Sequence, residues 1–231
     1  MKVVILGAGQ VGGSLSANLS SNGYDVTVID SNDEKLSDLD SRLDLRTVSG
    51  HASHPITLKR AGCDSDTILL ALTNNDEVNI VSCQIAKQTY SVKKTICRLS
   101  DSSYLDSLES FKDSIDIPIS PEKDITEHLS QLIRHPGTNQ IETFADGKVK
   151  LIAVKASKKG KLVGKELKNI NDDMPNVETH VPVIYRKNRP IKPSGSTIIK
   201  ENDELYFVTS AKNIDSVVNE VQEDHSQHSR I

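Results

Sequence analysis

Three glycines near the amino terminus have the spacing of a phosphate-binding turn. The run reads Gly7-Ala8-Gly9-Gln10-Val11-Gly12. It directly follows a short apolar run at residues 3–6 and begins a helical pattern. At this spacing Gly7 permits a tight turn, Gly9 lets the backbone approach a pyrophosphate, and Gly12 allows a helix to pack closely on a strand. Free amides at the helix N-terminus favour a bound phosphate. The predicted phosphate-binding residues are therefore Gly7, Gly9, Gln10, Val11 and Gly12.

A carboxylate follows the second predicted strand. The apolar residues 26–29 end in Asp30, eighteen positions after Gly12. A carboxylate at this place accepts hydrogen bonds from a ribose diol and repels a 2′-phosphate. Asp30 is therefore predicted to bind the ribose of NAD or another adenosine nucleotide in preference to NADP. The alternative is a glycine set that serves only the turn and the packing, without a ligand.

The elements that must position these residues alternate along the first half of the chain. Apolar runs at 2–6, 26–30, 45–49, 67–72, 94–99 and 115–119 have the length of buried strands. Helical patterns lie between the earlier ones, at 10–22, 33–42, 53–61 and 76–89. Strand–helix–strand alternation with short connections predicts right-handed crossovers. The expected fold is a Rossmann-type α/β domain, with a doubly wound parallel sheet.

In such a sheet the ligand crevice lies outside the carboxyl ends of the first and fourth strands. Thr73 and Asn74 follow the fourth predicted strand and are expected to face a nucleotide across from Gly9. An equally weighted alternative is that they only cap the next helix, Asn74 forming a capping box with Glu77. The loop after the third strand lies on the adenine side, so two of its residues are expected to line the crevice. These two residues are Ala52 and Ser53.

The sequence predicts neither a metal site nor a catalytic site. His51 and His54 form an H-x-x-H pair, with Cys63 nearby, but zinc needs a third and a fourth ligand, and no such set stands at a suitable spacing. Loop polarity and helix capping are the favoured roles for the histidines. The three cysteines are Cys63, Cys83 and Cys97; an odd number without a C-x-x-C pair is typical of reduced thiols in the cytosol. No Ser–His–Asp order or carboxylate pair points to an enzyme.

Composition excludes two further classes of protein. The chain has 28 Lys and Arg against 32 Asp and Glu, a net charge of −4, which argues against binding to nucleic acid through its phosphates. Aromatic residues make up 3% and tryptophan is absent, so stacking platforms for bases are not expected. No apolar run approaches the roughly 18 residues of a membrane span. A soluble cytoplasmic protein is expected.

The second half of the chain has a different pattern. Residues 121–134 carry an apolar stripe on a helical spacing, and Pro136-Gly137 ends it. Strands are predicted at 149–156, 178–186 and 204–209, a lysine-rich hairpin end at 155–161, and a last helix at 211–222. Together they predict a small α+β domain. The expected organisation is a nucleotide-binding domain at 1–120, a crossover helix and linker at 121–137, the second domain at 138–223 and a disordered tail at 224–231.

Five segments of the first half occur in a characteristic order: the glycine motif with residues 1–6, Val28-Ile29-Asp30, Gly50-His51-Ala52-Ser53-His54-Pro55, Leu72-Thr73-Asn74-Asn75-Asp76-Glu77-Val78-Asn79, and Ile119-Ser120-Pro121-Glu122. In this order they resemble the N-terminal repeat of the TrkA family, the cytoplasmic regulatory subunits of bacterial Trk potassium-uptake systems. Residues 190–197 and 201–206 are similar to the small carboxy-terminal subdomain of that family. The resemblance implies an RCK unit: a Rossmann (RCK_N or KTN) domain followed by an RCK-C domain.

The resemblance also implies a function. Members of this family are not enzymes; they form rings beneath a potassium-translocating membrane subunit. Nucleotides such as ATP, ADP, NAD or NADH gate transport by changing the conformation of the ring. We therefore expect a homo-oligomer, a dimer or a larger ring, at the inner face of the cell membrane, with the helix at 121–134 pairing subunits. The alternatives are an NAD-dependent oxidoreductase with a small second domain and a scaffold with a vestigial crevice.

The chain departs from the family pattern in two ways. The family tends to place two arginines after its fifth strand, to reach nucleotide phosphates; Arg98 matches the first, and Ser100 stands at the second. Arg98 is therefore the expected phosphate contact, and the loss of the second arginine is expected to weaken binding of a triphosphate. Complete members also carry two RCK units, so the sequence has two interpretations: part of a tandem protein, or a single-unit relative like the Ktr-type subunits. The likeness of the motifs to the first repeat favours the tandem protein.

Overall fold

The first half of the chain folds into six parallel strands in the order β3-β2-β1-β4-β5-β6. This is the strand order of a dinucleotide-binding Rossmann sheet, with its reversal point between β1 and β4. Each predicted strand overlaps an observed one, since short runs of Val, Ile and Leu suit burial on both faces of a sheet. The strands are β1 (Lys2–Leu6), β2 (Asp25–Asp30), β3 (Arg46–Ser49), β4 (Thr67–Ala71), β5 (Lys94–Arg98) and β6 (Ile117–Ile119). The predicted doubly wound fold is confirmed.

Alternate residues of the central strand supply two apolar cores, one on each side of the sheet. Val4 and Leu6 of β1 are fully buried in one core, and Val3 and Ile5 are buried in the other. Helices cover both faces. They are α1 (Gln10–Ser21), α2 (Asp33–Arg42), α3 (Pro55–Arg60), α4 (Asp76–Tyr90) and α5 (Ser102–Asp106).

Asparagine side chains begin two of these helices. Asn32 accepts a hydrogen bond from the Lys35 amide at 3.0 Å, and Asn75 accepts one from the Val78 amide at 2.7 Å. The predicted capping box at Asn74 is therefore wrong by one residue. Asn75 is the capping residue because its extended backbone directs the amide oxygen onto the first turn of α4.

The second half builds an antiparallel sheet in the order β10-β9-β11-β8-β7, preceded by α6 (Pro121–Arg134). The strands are β7 (Thr138–Phe144), β8 (Val149–Lys155), β9 (Thr179–Arg186), β10 (Arg189–Ile191) and β11 (Glu204–Thr209). The sequence prediction missed β7 and β10, the two edge strands. Ile141 is the one buried residue of β7, and β10 has three residues with a proline at its centre, so neither shows apolar alternation.

Residues 155–161 do not form the predicted hairpin end. The amide of Ser157 donates to Val221 O at 3.2 Å, at the end of α8 (Ile214–Val221). Gly160 is buried there, and a Cβ at this position would lie 2.0 Å from the same Val221 oxygen. The segment therefore packs against the last turn of α8, close enough that a glycine is required. Among residues 1–145 and 147–222, the remaining α-helix is a single turn, α7 (Ile170–Asp173).

The computed structural model describes residues 1–145 and 147–222. The chain divides into two compact units, one spanning Met1–Asp124 and one beginning at Ile125. The boundaries predicted at 120 and 137 stay predictions, and the predicted tail at 224–231 lies outside the described residues. Within the described residues, no helix is long and apolar enough to cross a membrane.

Candidate functional site

An open crevice of about 700 Å³ lies in the first unit, where the loops after β1, β2, β3, β4 and β5 meet. This is the reversal point of the sheet, where ligands bind in doubly wound folds. Nine of the predicted site residues line it: Gly7, Gly9, Gln10, Val11, Asp30, Ala52, Thr73, Asn74 and Arg98. Gly12 and Ser53 are not among its lining residues. The lining also includes residues that were not among the predicted site residues: Ile29, Ser31, Asn32, Lys35, Gly50, His51, Leu72, Asn75 and Val78.

Each glycine of the motif has a separate role. Gly7 has a φ of +101°, which other residues rarely adopt, and its amide donates to Ile29 O at 2.8 Å. A Cβ on Gly9 would meet no atom within 4 Å, so the backbone there faces open space. A Cβ on Gly12 would lie 1.9 Å from Gly7 O. Gly12 therefore lets α1 pack onto the turn, and it shapes the crevice without lining it.

The amino terminus of α1 is suited to an anion. Gly9 is its capping residue and supplies no side chain to accept from the first amides, and the first turn has no acidic residue. These amides and the positive end of the helix dipole therefore favour a phosphate at this point.

Asp30 is held at the end of β2 by two backbone amides. Its Oδ2 accepts from Ala8 N at 2.7 Å, and its Oδ1 accepts from Asn32 N at 2.8 Å. Each carboxylate oxygen can accept a second hydrogen bond. The carboxylate is thus fixed in orientation and still able to accept from two neighbouring hydroxyls, as a ribose diol requires.

Asn79 on α4 connects the loops after β4 and β5. It is fully buried; its Oδ1 accepts from Thr73 N at 3.0 Å and from Thr73 Oγ1 at 2.6 Å. Its Nδ2 donates to Thr73 O at 3.1 Å and to Arg98 O at 3.0 Å. The side-chain amide of Asn79 therefore fixes the backbone that carries two predicted site residues. Sequence reasoning missed it, although an Asn on the apolar face of a predicted helix was the available signal.

Arg98 lies at the end of β5 and forms an ion pair with Glu122 in the first turn of α6. The Arg98 side chain is 20% exposed, and its buried Nε has no acceptor among the described residues. The hydrogen bond from Arg98 is the main cause that lowers the pKa of Glu122, so this carboxyl is ionised at neutral pH. One cationic side chain with spare donor capacity is therefore present on this side of the crevice.

The loop at Ser100 is held by a carboxylate from α4. Asp76 Oδ2 accepts from the amides of Ser100 and Asp101, each at 2.8 Å. Asp76 is 8% exposed. This contact fixes the backbone that follows Arg98, at the serine where the family resemblance led us to expect an arginine.

Only some residues of the loop after β3 line the crevice. Ala52 lines the crevice, whereas Ser53 bonds through its Oγ to His51 Nδ1 at 2.9 Å. His54 begins α3 without a capping hydrogen bond from its side chain. Burial raises the pKa of the Cys63 thiol to about 12, so the thiolate that a metal needs is disfavoured. Across residues 1–145 and 147–222, no three His, Cys, Asp or Glu side chains are grouped to hold a metal.

Two family models match most of the chain. The TrkA-N domain matches residues 3–121, which include the crevice and all of the six-stranded sheet except Lys2. The TrkA-C domain matches residues 151–222, in the second unit. Among solved structures, the GsuK channel bound to NAD matches with a TM-score of 0.63 at 15% identity, covering 96% of this chain and 40% of that one. At that identity the likeness shows a shared fold.

Curated relatives match along the whole sequence. The Trk system potassium uptake protein TrkA of Halomonas elongata is 44% identical over 225 residues, covering 96% of this chain and 49% of that protein. The protein of the same name from Vibrio alginolyticus is 42% identical over 235 residues, covering 100% and 51%. The chain spans about half the length of these relatives. The two matched domains and the identity over the full chain show that it belongs to the TrkA family.

Proposed function

We propose that this chain is the nucleotide-sensing part of a cytoplasmic, non-catalytic regulator of a Trk-type potassium transporter. The observation that carries the proposal is the placement of Asp30 and the Gly7–Gly12 turn in one crevice, with a hydrogen bond joining them. A diol acceptor beside a phosphate-binding helix end fits an adenine nucleotide: NAD, NADH, ADP or ATP. The curated relatives are named as Trk system potassium uptake proteins, which supports the assignment to potassium uptake.

A regulator of this kind works through linkage. A nucleotide changes the transport equilibrium only when it binds two conformations of the assembly with different affinity. Regulation by binding needs no chemical reaction, so we propose that the ligand is bound and released unchanged. The crevice then needs only groups that recognise the phosphate charge and the ribose hydroxyls. The side chains assigned here, Asp30 and Arg98, meet that need.

The helix α6 supports the proposal that copies of the chain associate. Ile125, Leu129 and Ile133 are 61%, 52% and 79% exposed and repeat every four residues, on one face of the helix. Leu132 packs instead against the core of the second unit. A row of large exposed apolar side chains on a well-formed helix is typical of a helix that pairs with another copy. The proposed partners are thus a second copy of the chain and a Trk-type membrane subunit at the inner face of the membrane.

Calorimetric titration with NADH, NAD, ATP and ADP, with light scattering of each mixture, tests the function. Saturable binding without consumption of the nucleotide supports a sensor, and a change in assembly on binding supports gating through the ring. Steady oxidation of NADH would instead support an NAD-dependent oxidoreductase. No binding at millimolar nucleotide would contradict the proposal and leave a scaffold with a vestigial crevice.

The association step has its own test. Leu129→Glu places a charge at the centre of the exposed α6 row and is expected to reduce the mass measured by light scattering to that of one chain. Glu127→Gln on the same helix is the matched control, since it alters charge without touching the row. An unchanged mass for Leu129→Glu would contradict pairing through α6.

A further inference from the structure

The positive charge of Arg98 is balanced within the chain. The guanidinium lines the crevice, and its Nη2 donates to Glu122 Oε1. Glu122 itself is not among the residues that line the crevice, and its side chain is 49% exposed. A carboxylate is stable at this place because it lies in the first turn of α6, at the positive end of the helix dipole.

Arg98 nevertheless keeps capacity for another anion. A guanidinium has five N–H donors. One terminal nitrogen is bonded to Glu122, and the side chain as a whole is 20% exposed. Donors of the guanidinium therefore remain for a phosphate oxygen in the crevice, and a charge-assisted hydrogen bond to one of them would stabilise the phosphate. The same phosphate would lie close to the Glu122 carboxylate and be repelled by it.

We infer that Glu122 is a specificity-determining residue of the crevice, an internal carboxylate that competes with a nucleotide phosphate for Arg98. The inference rests on the proposed function and deepens it. The penalty from Glu122 depends on how much phosphate charge the ligand brings to Arg98. Adenosine brings none, whereas each further phosphate adds negative charge on that side. Glu122 therefore favours ligands of low phosphate charge and reduces the affinity for ADP and ATP.

The serine at position 100 is consistent with this arrangement. Its side chain also contributes to lowering the pKa of Glu122, after the larger effect of Arg98. A hydroxyl at this place adds no positive charge that would balance the carboxylate. The charge of Arg98 is therefore already matched by Glu122, and a bound phosphate must either displace Glu122 from Arg98 or share Arg98 with it.

The test is the Glu122→Gln variant, which keeps the shape and removes the charge. Calorimetry with adenosine, AMP, ADP and ATP is expected to show an affinity gain of about threefold or more for ADP and ATP, with none for adenosine. A purely structural role would change all four ligands alike. Glu122→Ala is the second variant and is expected to shift ADP affinity in the same direction.

Two controls isolate the effect. Glu109→Gln makes the same charge change at an exposed ion pair with Lys112 that does not line the crevice, and it is expected to leave ADP affinity unchanged. In an Arg98→Gln background, Glu122→Gln is expected to change ADP affinity much less, because the positive charge for which Glu122 and the phosphate compete is absent. Unchanged or weaker ADP binding by Glu122→Gln, with the wild type still binding ADP, would overturn this inference alone. No saturable binding by either protein would contradict the proposed function as well.

Discussion

The carboxylate of Asp30 accepts a hydrogen bond from the Ala8 amide at 2.7 Å, across the gap between the ends of β2 and β1. This contact joins the two parts of the crevice that we propose recognise different parts of a nucleotide. The Ala8 amide belongs to the glycine turn proposed to bind phosphate, and the carboxylate is the proposed acceptor for the ribose. The distance between the two proposed subsites is therefore set by the fold before any ligand arrives.

Replacing Asp30 with alanine is expected to weaken NADH binding about tenfold or more, because one or two ribose hydrogen bonds are lost and the turn loses its contact. Calorimetry with NADH measures the change. Asp25→Ala is the matched control: Asp25 is exposed at the opposite end of the same strand and is expected to leave binding unchanged. Equal NADH affinity in the Asp30 variant and the wild type would contradict the assignment.

Two neighbouring glycines of α1 are expected to respond in opposite ways to alanine. In Gly12→Ala the new Cβ would lie 1.9 Å from Gly7 O, so the helix must move, at a cost of about 2–3 kcal/mol in the free energy of unfolding. In Gly13→Ala the Cβ has ordinary contacts, the nearest at 3.7 Å from Leu39 Cδ2. Because alanine favours the helix over glycine, the free energy of unfolding is expected to rise by about 0.5–1 kcal/mol. Hydrogen exchange of the β1 amides measures both. Similar protection in the two variants would contradict the packing role of Gly12.

Gly9→Ala is expected to separate binding from stability. The added Cβ meets no protein atom within 4 Å, so the fold tolerates it. It projects where the backbone approaches the pyrophosphate, and we expect nucleotide affinity to fall about tenfold with hydrogen exchange unchanged. Unchanged affinity would show that the ligand does not approach Gly9.

The parts of the site that the sequence predicted are local in the chain. The glycine turn can be recognised because its spacing and the flanking strand and helix lie within a dozen residues. Asp30 can be recognised because it ends the next strand. The ion pair of Arg98 could not be predicted from local sequence patterns. Arg98 itself was expected only from the family resemblance. Its partner Glu122 lies in α6, and no periodicity in the sequence predicts that α6 lies beside β5.

Asn79 and the edge strands illustrate two further limits. The hydrogen bonds of Asn79 join loops that are far apart in sequence, so only the fold reveals them. The strands β7 and β10 are paired on one side, so fewer of their residues are buried and the apolar alternation that identifies a strand is weak. Local motifs were therefore predictable, whereas the long-range polar contacts and the sheet edges were not.

Asn79→Ala is expected to weaken both the first unit and its binding of nucleotide. The substitution removes the four hydrogen bonds that Asn79 makes to Thr73 and to the Arg98 carbonyl, which lowers the free energy of unfolding by about 3 kcal/mol. Cys83→Ala is the matched control, a buried side chain one turn further along α4 that does not line the crevice. It is expected to lower stability and to keep ADP affinity. ADP affinity that stays constant in Asn79→Ala would contradict its role in positioning Thr73 and Arg98.

Asp203 gives the second unit an acid-sensitive contact. Its side chain is 1% exposed and accepts two hydrogen bonds from Arg186, at 2.8 and 2.7 Å, and one from the Lys200 amide at 2.8 Å. Burial alone would raise the pKa of Asp203, but the bonds from Arg186 and the Lys200 amide outweigh it and hold the pKa below the ordinary 3.8. The stabilisation is therefore complete above about pH 4 and is lost as the pH falls through the lower value of the folded state.

Asp203→Asn tests this at two pH values. At pH 7 the variant leaves Arg186 without its charged partner, so the free energy of unfolding should fall by about 3 kcal/mol. At an acidic pH below 3.8, the charge of the wild-type carboxyl is lost as the pH falls through its lowered folded-state pKa, so the difference between wild type and variant should shrink. Hydrogen exchange of the β11 amides measures both, with Asp172→Asn, an exposed carboxyl in the same unit, as control. A difference that stays constant with pH would mean that the shape of Asp203, and not its charge, stabilises this unit.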